Sequence, residues 1–203
     1  MSLKERVLEN PLVFRLVQAP FTRKKLLPVL AHNDLRTIRR VLDVGCGPGT
    51  NTALFAGVDY TGMDINPAYI RQAQRRFRRN FVVADVTRYR VSSAERYDFI
   101  FVNSLLHHLP DDAVRNLLQH LSSLLTSDGH IHILELVLPE QPFLARKMAQ
   151  WDRGRYARPL AQWELLFQSA FQSAVFEPYP VRVAGLEALS MVYFKGCPAV
   201  SAA

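Results

Sequence analysis

The segment VLDVGCGPGT, residues 41–50, constrains the fold of this chain more than any other feature. A short apolar run ends there, and three glycines follow within five positions, at Gly45, Gly47 and Gly49. Apolar, β-branched runs of this length are typical of buried strands, and closely spaced glycines allow a tight turn. The segment therefore predicts a strand that ends in an exposed backbone turn, where a following helix would offer unpaired N–H groups to a ligand.

Strand and helix patterns alternate along the rest of the chain. Apolar strand patterns recur at residues 40–44, 59–65, 80–86, 97–103 and 130–138. Two helical patterns lie between them: Asn66 and Pro67 begin the first, and an aspartate cap begins the second, which Gly129 follows. Nearly all-apolar strands that alternate with helices predict an α/β fold, in which helices cover both faces of a parallel sheet.

The last two strand patterns, residues 174–181 and 187–196, follow each other without a helix between them. Strands joined in this way pair antiparallel, so we expect an antiparallel pair at one edge of the sheet. We divide the chain into an N-terminal helical lid or substrate segment, residues 1–39, and a core, residues 40–203. A helical insert over about residues 140–171 interrupts the core, since Gly154 and Pro159 separate two helical patterns there.

The composition is that of an ordinary globular protein with a basic surface. Of its 203 residues, 49% are hydrophobic, and the formal net charge is +7. Positive charge favours anionic partners, which include nucleic acid, lipid head groups and acidic small molecules. Basic residues cluster at two places: Arg71, Arg75, Arg78 and Arg79 on one helical face, and Arg23, Lys24 and Lys25 near the N-terminus.

The N-terminal residues and the cysteines bear on the compartment and on metal binding. Glu5, Glu9 and Pro11 interrupt the first segment, which lacks the apolar core of a signal peptide, so we expect a cytoplasmic protein. No apolar run is long enough to span a bilayer, which leaves only peripheral contact with a membrane open. Cys46 and Cys197 show neither metal-ligand spacing nor a disulfide pattern, so no metal site is predicted.

Acidic residues indicate which ligand the glycine turn binds. Asp64 ends the second strand pattern, where a carboxylate can accept hydrogen bonds from both hydroxyls of a ribose. Asp43 lies two residues before the first glycine. A carboxylate there suits a ligand that carries an ammonium or sulfonium group better than it suits a pyrophosphate. These residues favour a nucleoside-containing cofactor with a positive charge.

The segment VLDVGCGPGT resembles the first motif of the class I S-adenosylmethionine-dependent methyltransferases. Later landmarks match that family in order and spacing over about residues 41–138, namely Asp64, the segment ADV with Asp85, DFIFVNSLLHHL and LTSDGHIHILE. The resemblance implies a Rossmann-like, seven-stranded and mostly parallel sheet. It also implies methyl transfer from S-adenosylmethionine to a small or lipid-like acceptor, for which an anionic group fits the basic charge, with S-adenosylhomocysteine as the product.

The resemblance also implies roles for individual residues. The cofactor-binding set is Asp43, Gly45, Cys46, Gly47, Asp64, Ile65, Asp85, Val86 and Asn103. The first four lie around the methionine part of the cofactor, where Asp43 orients the amino group. Asp64 holds the ribose, the next three residues meet the adenine, and Asn103 lies near the transferred methyl group.

Methyl transfer from a sulfonium depends mainly on positioning and on the exclusion of water. An oxygen or nitrogen acceptor still has to lose a proton, and His107 and His108 follow the fourth strand, near the expected methyl group. Imidazole has a pKa near neutrality, so His107 is the first candidate for a general base and His108 the second. The alternative is that the histidines pack, or bond to the helix cap at Asp111.

Two segments outside the common core are candidates for acceptor recognition, residues 1–39 and the insert after the fifth strand. In the insert, the segment WDRGRYARP gathers Arg153, Arg155, Tyr156 and Arg158, which could grip a carboxylate or phosphate. Ordinary surface arginines are the alternative. After the fourth strand the chain reads NSLL and lacks the N/D-P-P-Y/F stretch of enzymes that methylate base amino groups, which disfavours nucleic acid. An RNA or protein methyltransferase and a non-catalytic, cofactor-binding regulatory or scaffold protein stay open.

Overall fold

The structure, a computed structural model, describes residues 23–140 and 156–199. Its strands are β1 (Arg40–Val44), β2 (Asp59–Asp64), β3 (Asn80–Val83), β4 (Tyr97–Asn103), β5 (Leu125–Leu136), β6 (Phe171–Val183) and β7 (Leu186–Pro198). α-Helices cover Leu27–His32 (α1), Pro67–Arg76 (α2), Asp111–Ser123 (α3) and Leu160–Gln168 (α4). Short 3₁₀ turns cover Leu35–Thr37, Thr52–Phe55, Val86–Arg88, Ser93–Glu95 and Leu106–His108.

The seven strands form one sheet in the order β3-β2-β1-β4-β5-β7-β6. The first five strands of this order run parallel, and β7 pairs antiparallel with both β5 and β6. This confirms the predicted mostly parallel sheet with its antiparallel C-terminal edge. The direction of winding reverses between β1 and β4, and the carboxyl ends of strands at such a point form a crevice where α/β sheets bind ligands.

Alternate residues of each strand pack into two separate apolar layers, because successive strand side chains point to opposite faces. Leu42 and Ile100 pack with α3 and α4 on one face, where Trp163 is fully buried. Val41 and Phe101 pack on the other face with α1, α2 and the turn Thr52–Phe55. Helices on both faces of the sheet were predicted, and the two layers confirm them.

The boundaries of α3 and β5 differ from the sequence prediction. The N-cap residue of α3 is Pro110, and Asp111 lies in the first helical turn rather than at the cap. β5 begins at Leu125 instead of residue 130, because buried Leu125 already pairs with Tyr97 before the register shifts. Gly129 therefore lies inside this strand and not after the helix.

The glycine turn and β3 also differ from expectation. The helix expected after the glycines is only the 3₁₀ turn Thr52–Phe55, since residues 45–58 must both turn and return to the start of β2. β3 ends at Val83, three residues early, because Asp85 caps the following turn by accepting a hydrogen bond from the Thr87 N–H. Residues 141–155 of the predicted insert lie outside the described residues, and the division into segments stays a prediction. No helix within the described ranges has the length and apolarity needed to cross a membrane.

Candidate cofactor and catalytic site

The glycine turn leaves β1 in a left-handed backbone conformation that is open on one side. Gly45, Gly47 and Gly49 have φ angles of 71°, 55° and 78°. The N–H groups of Gly45 and Cys46 both donate to the Met63 carbonyl of β2, at 2.8 and 3.0 Å. A Cβ atom built on Gly47 would meet no other atom within 4 Å. The turn is thus fixed to β2, and the space in front of Gly47 can receive a ligand.

Asp64, at the carboxyl end of β2, holds this turn in place. Its carboxylate accepts hydrogen bonds from the backbone N–H of Gly47 at 3.0 Å and of Asn66 at 2.8 Å. Burial raises the pKa of Asp64, although these two bonds work against the increase. A carboxylate offers about four lone-pair positions, so two donors leave acceptor capacity for hydroxyl groups. The half-buried Asp64 therefore fits the predicted ribose contact.

Asp43 lies beneath the turn and is 1% exposed. Tyr60 donates to its Oδ2 at 2.7 Å and itself accepts from the Thr52 hydroxyl at 3.0 Å. Among the described residues, Asp43 Oδ1 finds no hydrogen-bond partner although it is fully buried. Burial raises the pKa of Asp43 to about 7. A buried acceptor of this kind gains most from a cationic donor, so Asp43 fits the amino group of the implied cofactor.

Cys46 packs within the turn and does not resemble a reactive cysteine. Its side chain is buried, and burial raises the pKa of the thiol further above its ordinary value. The nearby carboxyl groups of Asp43 and Asp64 act in the same direction. Since the thiolate is the reactive form, Cys46 contributes shape to the turn rather than a nucleophile.

Exposed apolar side chains mark the place predicted for the adenine. Ile65, directly after β2, is 72% exposed, and Val83 at the end of β3 is also exposed. Val86 is partly buried, and the exposed Asp85 accepts hydrogen bonds from the N–H and hydroxyl of Thr87. These bonds lower the pKa of Asp85. Apolar groups beside an ionised carboxylate fit a flat heterocycle with an exocyclic amino group.

The carboxyl end of β4 meets the glycine turn from the other side. Asn103 ends the strand, and its Nδ2 lies 3.5 Å from Oδ1 of Asn51, a buried residue just after the glycines. Ser104 follows with a φ of 55° and donates to Asn103 Oδ1 at 3.1 Å. Lys25 Nζ reaches the Ser104 hydroxyl at 3.2 Å. Polar groups from three separate parts of the chain thus converge at the position predicted for the methyl group.

His107 is buried and is held by a carboxylate that the sequence analysis missed. Its Nδ1 lies 2.7 Å from Oε2 of Glu135, which is fully buried on β5. Glu135 Oε1 also accepts from the backbone N–H groups of Leu105 and Leu106, at 2.8 and 2.6 Å. Burial works to raise the pKa of Glu135, but the charge and hydrogen bond of His107 and the two N–H donors outweigh it, so the pKa is lowered.

Arg158 lies in the protein interior and not on a ligand-facing surface. Its guanidinium bonds the Asp111 carboxylate at 2.8 Å, lies 4.7 Å from the Trp163 ring, and donates to the carbonyls of Leu106, Leu109 and Tyr156. These bonds correct two expectations. The guanidinium of Arg158 is not available to bind an anion, because an arginine has only about five N–H donors and groups of the protein accept from all of them. Asp111 serves Arg158 rather than a histidine.

Of the other residues of the predicted arginine cluster, the structure describes Tyr156 alone. Tyr156 is partly exposed, and its backbone N–H donates to the His107 carbonyl at 3.0 Å. The segment before α4 therefore lies against the loop that carries the two histidines, and His108 is exposed there. Arg153 and Arg155 lie outside the described residues.

Comparison with known proteins finds a methyltransferase domain and similar enzymes. A family model described as a methyltransferase domain matches residues 41–129. The trans-aconitate 2-methyltransferase of Escherichia coli O7:K1 is 37% identical over 150 residues, which cover 66% of this chain and 56% of that protein. The same enzyme of Shigella flexneri is 36% identical over 148 residues, with 66% and 55% covered.

These matches support a class I S-adenosylmethionine-dependent methyltransferase, with the domain match lying in the central part of the chain. The chain spans about half the length of the curated relatives it matches. Among solved structures, the N-methyltransferase NodS of Bradyrhizobium japonicum with S-adenosylhomocysteine superposes with a TM-score of 0.70 at 17% identity, covering 96% of each chain. Human N-acetylserotonin methyltransferase with S-adenosylmethionine gives 0.70 at 18% identity, covering 96% of this chain and 56% of that one. At this identity the likeness concerns the fold.

Several polar residues of this methyltransferase fold escaped the sequence analysis. Glu135 carried a usable signal, because an acidic residue within the apolar strand HIHILELVL must be buried and must have partners. Asn51, Ser104 and Lys25 carried no such signal. Contacts between distant segments bring Asn51 and Lys25 to the end of β4, where Ser104 follows the strand directly.

Proposed function

We propose that this chain transfers the methyl group of S-adenosylmethionine to a small-molecule acceptor. The observation that carries the proposal is the crevice between β1, β2 and β4. There the open face of Gly47, the carboxylate of Asp64 and the unpartnered Oδ1 of buried Asp43 lie around one glycine turn. These groups match the methionine amino group and the ribose of the cofactor. The methyltransferase domain match and the similarity to methyltransferases support the same activity.

The cofactor, when bound, supplies an electrophilic methyl group on a sulfonium. Asp43 accepts a hydrogen bond from the amino group, and Asp64 accepts from the ribose hydroxyls. Ile65, Val86 and Asp85 lie against and beside the adenine, while Asn103 borders the reacting centre. The rate then depends on how firmly these residues orient the acceptor and exclude water.

The acceptor is, in our proposal, an organic anion. The curated relatives are named for trans-aconitate, the anion of an organic acid. The net charge of +7 supports an anionic ligand. Contacts of Arg153, Arg155 and Tyr156 with that anion stay predictions, as do the cytoplasmic location and peripheral membrane contact. An RNA or protein methyltransferase would transfer the methyl group to a macromolecule, and a scaffold protein would bind the cofactor without turnover.

Substitution of Asp64 tests cofactor binding. Each charge-assisted hydrogen bond to a ribose hydroxyl contributes roughly 1.5 to 3 kcal/mol, so Asp64→Ala should weaken S-adenosylhomocysteine binding at least about tenfold. Titration calorimetry measures the affinity. Asp59→Ala is the matched control, because Asp59 lies at the opposite end of the same strand and is paired with Arg40. Unchanged affinity in folded Asp64→Ala protein would contradict the ribose contact.

His107 remains the first candidate for a general base. Glu135 holds its Nδ1, which orients the ring and leaves proton transfer to Nε2. If His107 removes the acceptor proton, His107→Gln should lower turnover by about 100-fold while the affinity for S-adenosylhomocysteine stays the same. His108→Gln tests the second candidate in the same way, and His120→Gln, in the last turn of α3, serves as the control. Turnover of His107→Gln near the wild-type rate would mean that positioning alone drives the reaction.

A further inference from the structure

Lys25 is a buried lysine whose ammonium lies at the proposed reaction centre. Its side chain is 7% exposed, although it lies in a basic cluster near the N-terminus. Tyr179 of β6 donates its hydroxyl to the Lys25 carbonyl at 2.8 Å, which fixes the backbone. The ammonium crosses to β4 and donates to Ser104 Oγ at 3.2 Å. Exposed Lys24, its neighbour, points elsewhere and bonds the Arg182 carbonyl.

Ser104 holds a strained backbone conformation. Among the described residues, Ser104 and Ala184 are the non-glycine residues with positive φ, at 55° and 51°. Ala184 lies in the turn between β6 and β7, where hairpin geometry demands such angles. Ser104 instead follows directly after β4, a central parallel strand. Backbone strain at such a place is often retained because it positions a functional side chain, here the hydroxyl that Lys25 contacts.

Contacts with the glycine turn place this pair beside the cofactor crevice. A Cβ atom built on Gly45 would lie 3.2 Å from the side chain of Leu105, the residue after Ser104. On the other side, Asn103 reaches Asn51 of the glycine loop. The Lys25 ammonium therefore contacts Ser104, whose two neighbours in the chain, Asn103 and Leu105, border the glycine turn at the carboxyl ends of β1 and β4.

We propose that Lys25 Nζ and Ser104 Oγ form a subsite that binds a carboxylate of the methyl acceptor. The inference rests on the proposed function and names the two side chains that would recognise an anionic acceptor. The Lys25 ammonium donates to a carboxylate directly. The Ser104 hydroxyl donates to it after rotation of its single proton away from Asn103 Oδ1. Burial keeps solvent and salt from screening the charge. The methionine part of the cofactor also carries a carboxylate, so the test has to distinguish binding of the cofactor's carboxylate from binding of the acceptor's.

Lys25→Met and Lys24→Met form a matched pair of variants. Both remove one positive charge and keep a flexible apolar stem, so any effect of net charge cancels between them. Calorimetry with the full chain measures binding of S-adenosylhomocysteine and of 5′-methylthioadenosine, which lacks the amino-acid part. A second titration adds trans-aconitate, or its neutral trimethyl ester, to protein saturated with S-adenosylhomocysteine.

We expect Lys25→Met to weaken trans-aconitate binding at least about tenfold while S-adenosylhomocysteine binds as before. The neutral ester and the Lys24→Met protein should show no such loss. If instead S-adenosylhomocysteine binding falls and 5′-methylthioadenosine binding does not, the carboxylate belongs to the cofactor. The acceptor subsite is wrong if Lys25→Met changes the affinity for neither S-adenosylhomocysteine nor trans-aconitate. It is also wrong if the wild type does not bind trans-aconitate and Lys25→Met weakens only S-adenosylhomocysteine binding.

Ser104→Gly provides a variant that should fold well. Glycine adopts a φ of 55° without strain, so the melting temperature should stay the same or rise. The same variant removes the hydroxyl, so it should weaken trans-aconitate binding, as Lys25→Met does. Stronger or unchanged carboxylate binding would contradict the role of the hydroxyl. A wild-type protein that fails to bind S-adenosylhomocysteine would refute the proposed function itself, whereas normal cofactor binding without a Lys25 effect refutes only this inference.

Discussion

Asp43 and Glu135 are two buried carboxyl groups on parallel strands of one sheet, yet their environments differ completely. Asp43 on β1 is 1% exposed and Glu135 on β5 is 0% exposed. Burial raises the pKa of Asp43 to about 7, whereas the pKa of Glu135 is lowered despite burial. The partners decide the difference. Asp43 has one donor, Tyr60, while His107 and two backbone N–H groups surround Glu135.

This contrast separates a polar network whose buried carboxylate is satisfied within the protein from a region that leaves a buried acceptor for a ligand. Around Glu135, the polar groups saturate one another, and Arg158 ties the same loop to Asp111. Around Asp43, a carboxylate oxygen lacks a partner among the described residues, and the glycine turn faces open space. A protein tolerates a costly buried group where a ligand will satisfy it. A ligand that binds at the glycine turn therefore gains binding free energy by satisfying Asp43.

Removal of Glu135 should have the largest effect. Glu135→Ala leaves two backbone N–H groups and the His107 imidazole without their acceptor, and loss of one partner from such a buried pair costs about 3 to 5 kcal/mol. Urea unfolding should show this loss in the free energy of unfolding. Glu135→Gln keeps an acceptor oxygen and should lose less. If Glu135→Ala were as stable as the wild type, Glu135 would not be the centre of a saturated network.

Asp43 should instead destabilise the protein as the pH rises. Its pKa is about 7 in the folded protein and 3.8 as the ordinary value, so the folded state binds more protons between these limits. Its stabilising contribution is complete below pH 3.8 and is lost as the pH rises through 7. One pKa unit corresponds to about 1.4 kcal/mol, so the loss amounts to a few kcal/mol. Unfolding measured from pH 4 to pH 8 should show this decline in wild type and a flatter profile in Asp43→Asn. Parallel profiles would mean that Asp43 has an ordinary pKa.

Much of the fold followed from local patterns, and the reason is visible in particular residues. Val41, Leu42 and Val44 are apolar because both faces of β1 are buried, so the strand could be recognised from its composition. Asp64 could be located because it ends a strand whose neighbour carries the glycines. The family and the mostly parallel sheet are confirmed. The strand boundaries failed where pairing decided them, as at Leu125, which pairs with Tyr97.

The sequence by itself determined the glycine turn, the order of strands and helices, and the family, because each depends on residues close together in the chain. Only the tertiary structure decided how buried polar groups pair. Lys25 meets Ser104 across 79 positions, and Arg158 meets Asp111 across 47. Both cations read as members of basic surface clusters in the sequence. Packing of distant segments removed them from water, and a charge removed from water must find its partners wherever the fold has placed them.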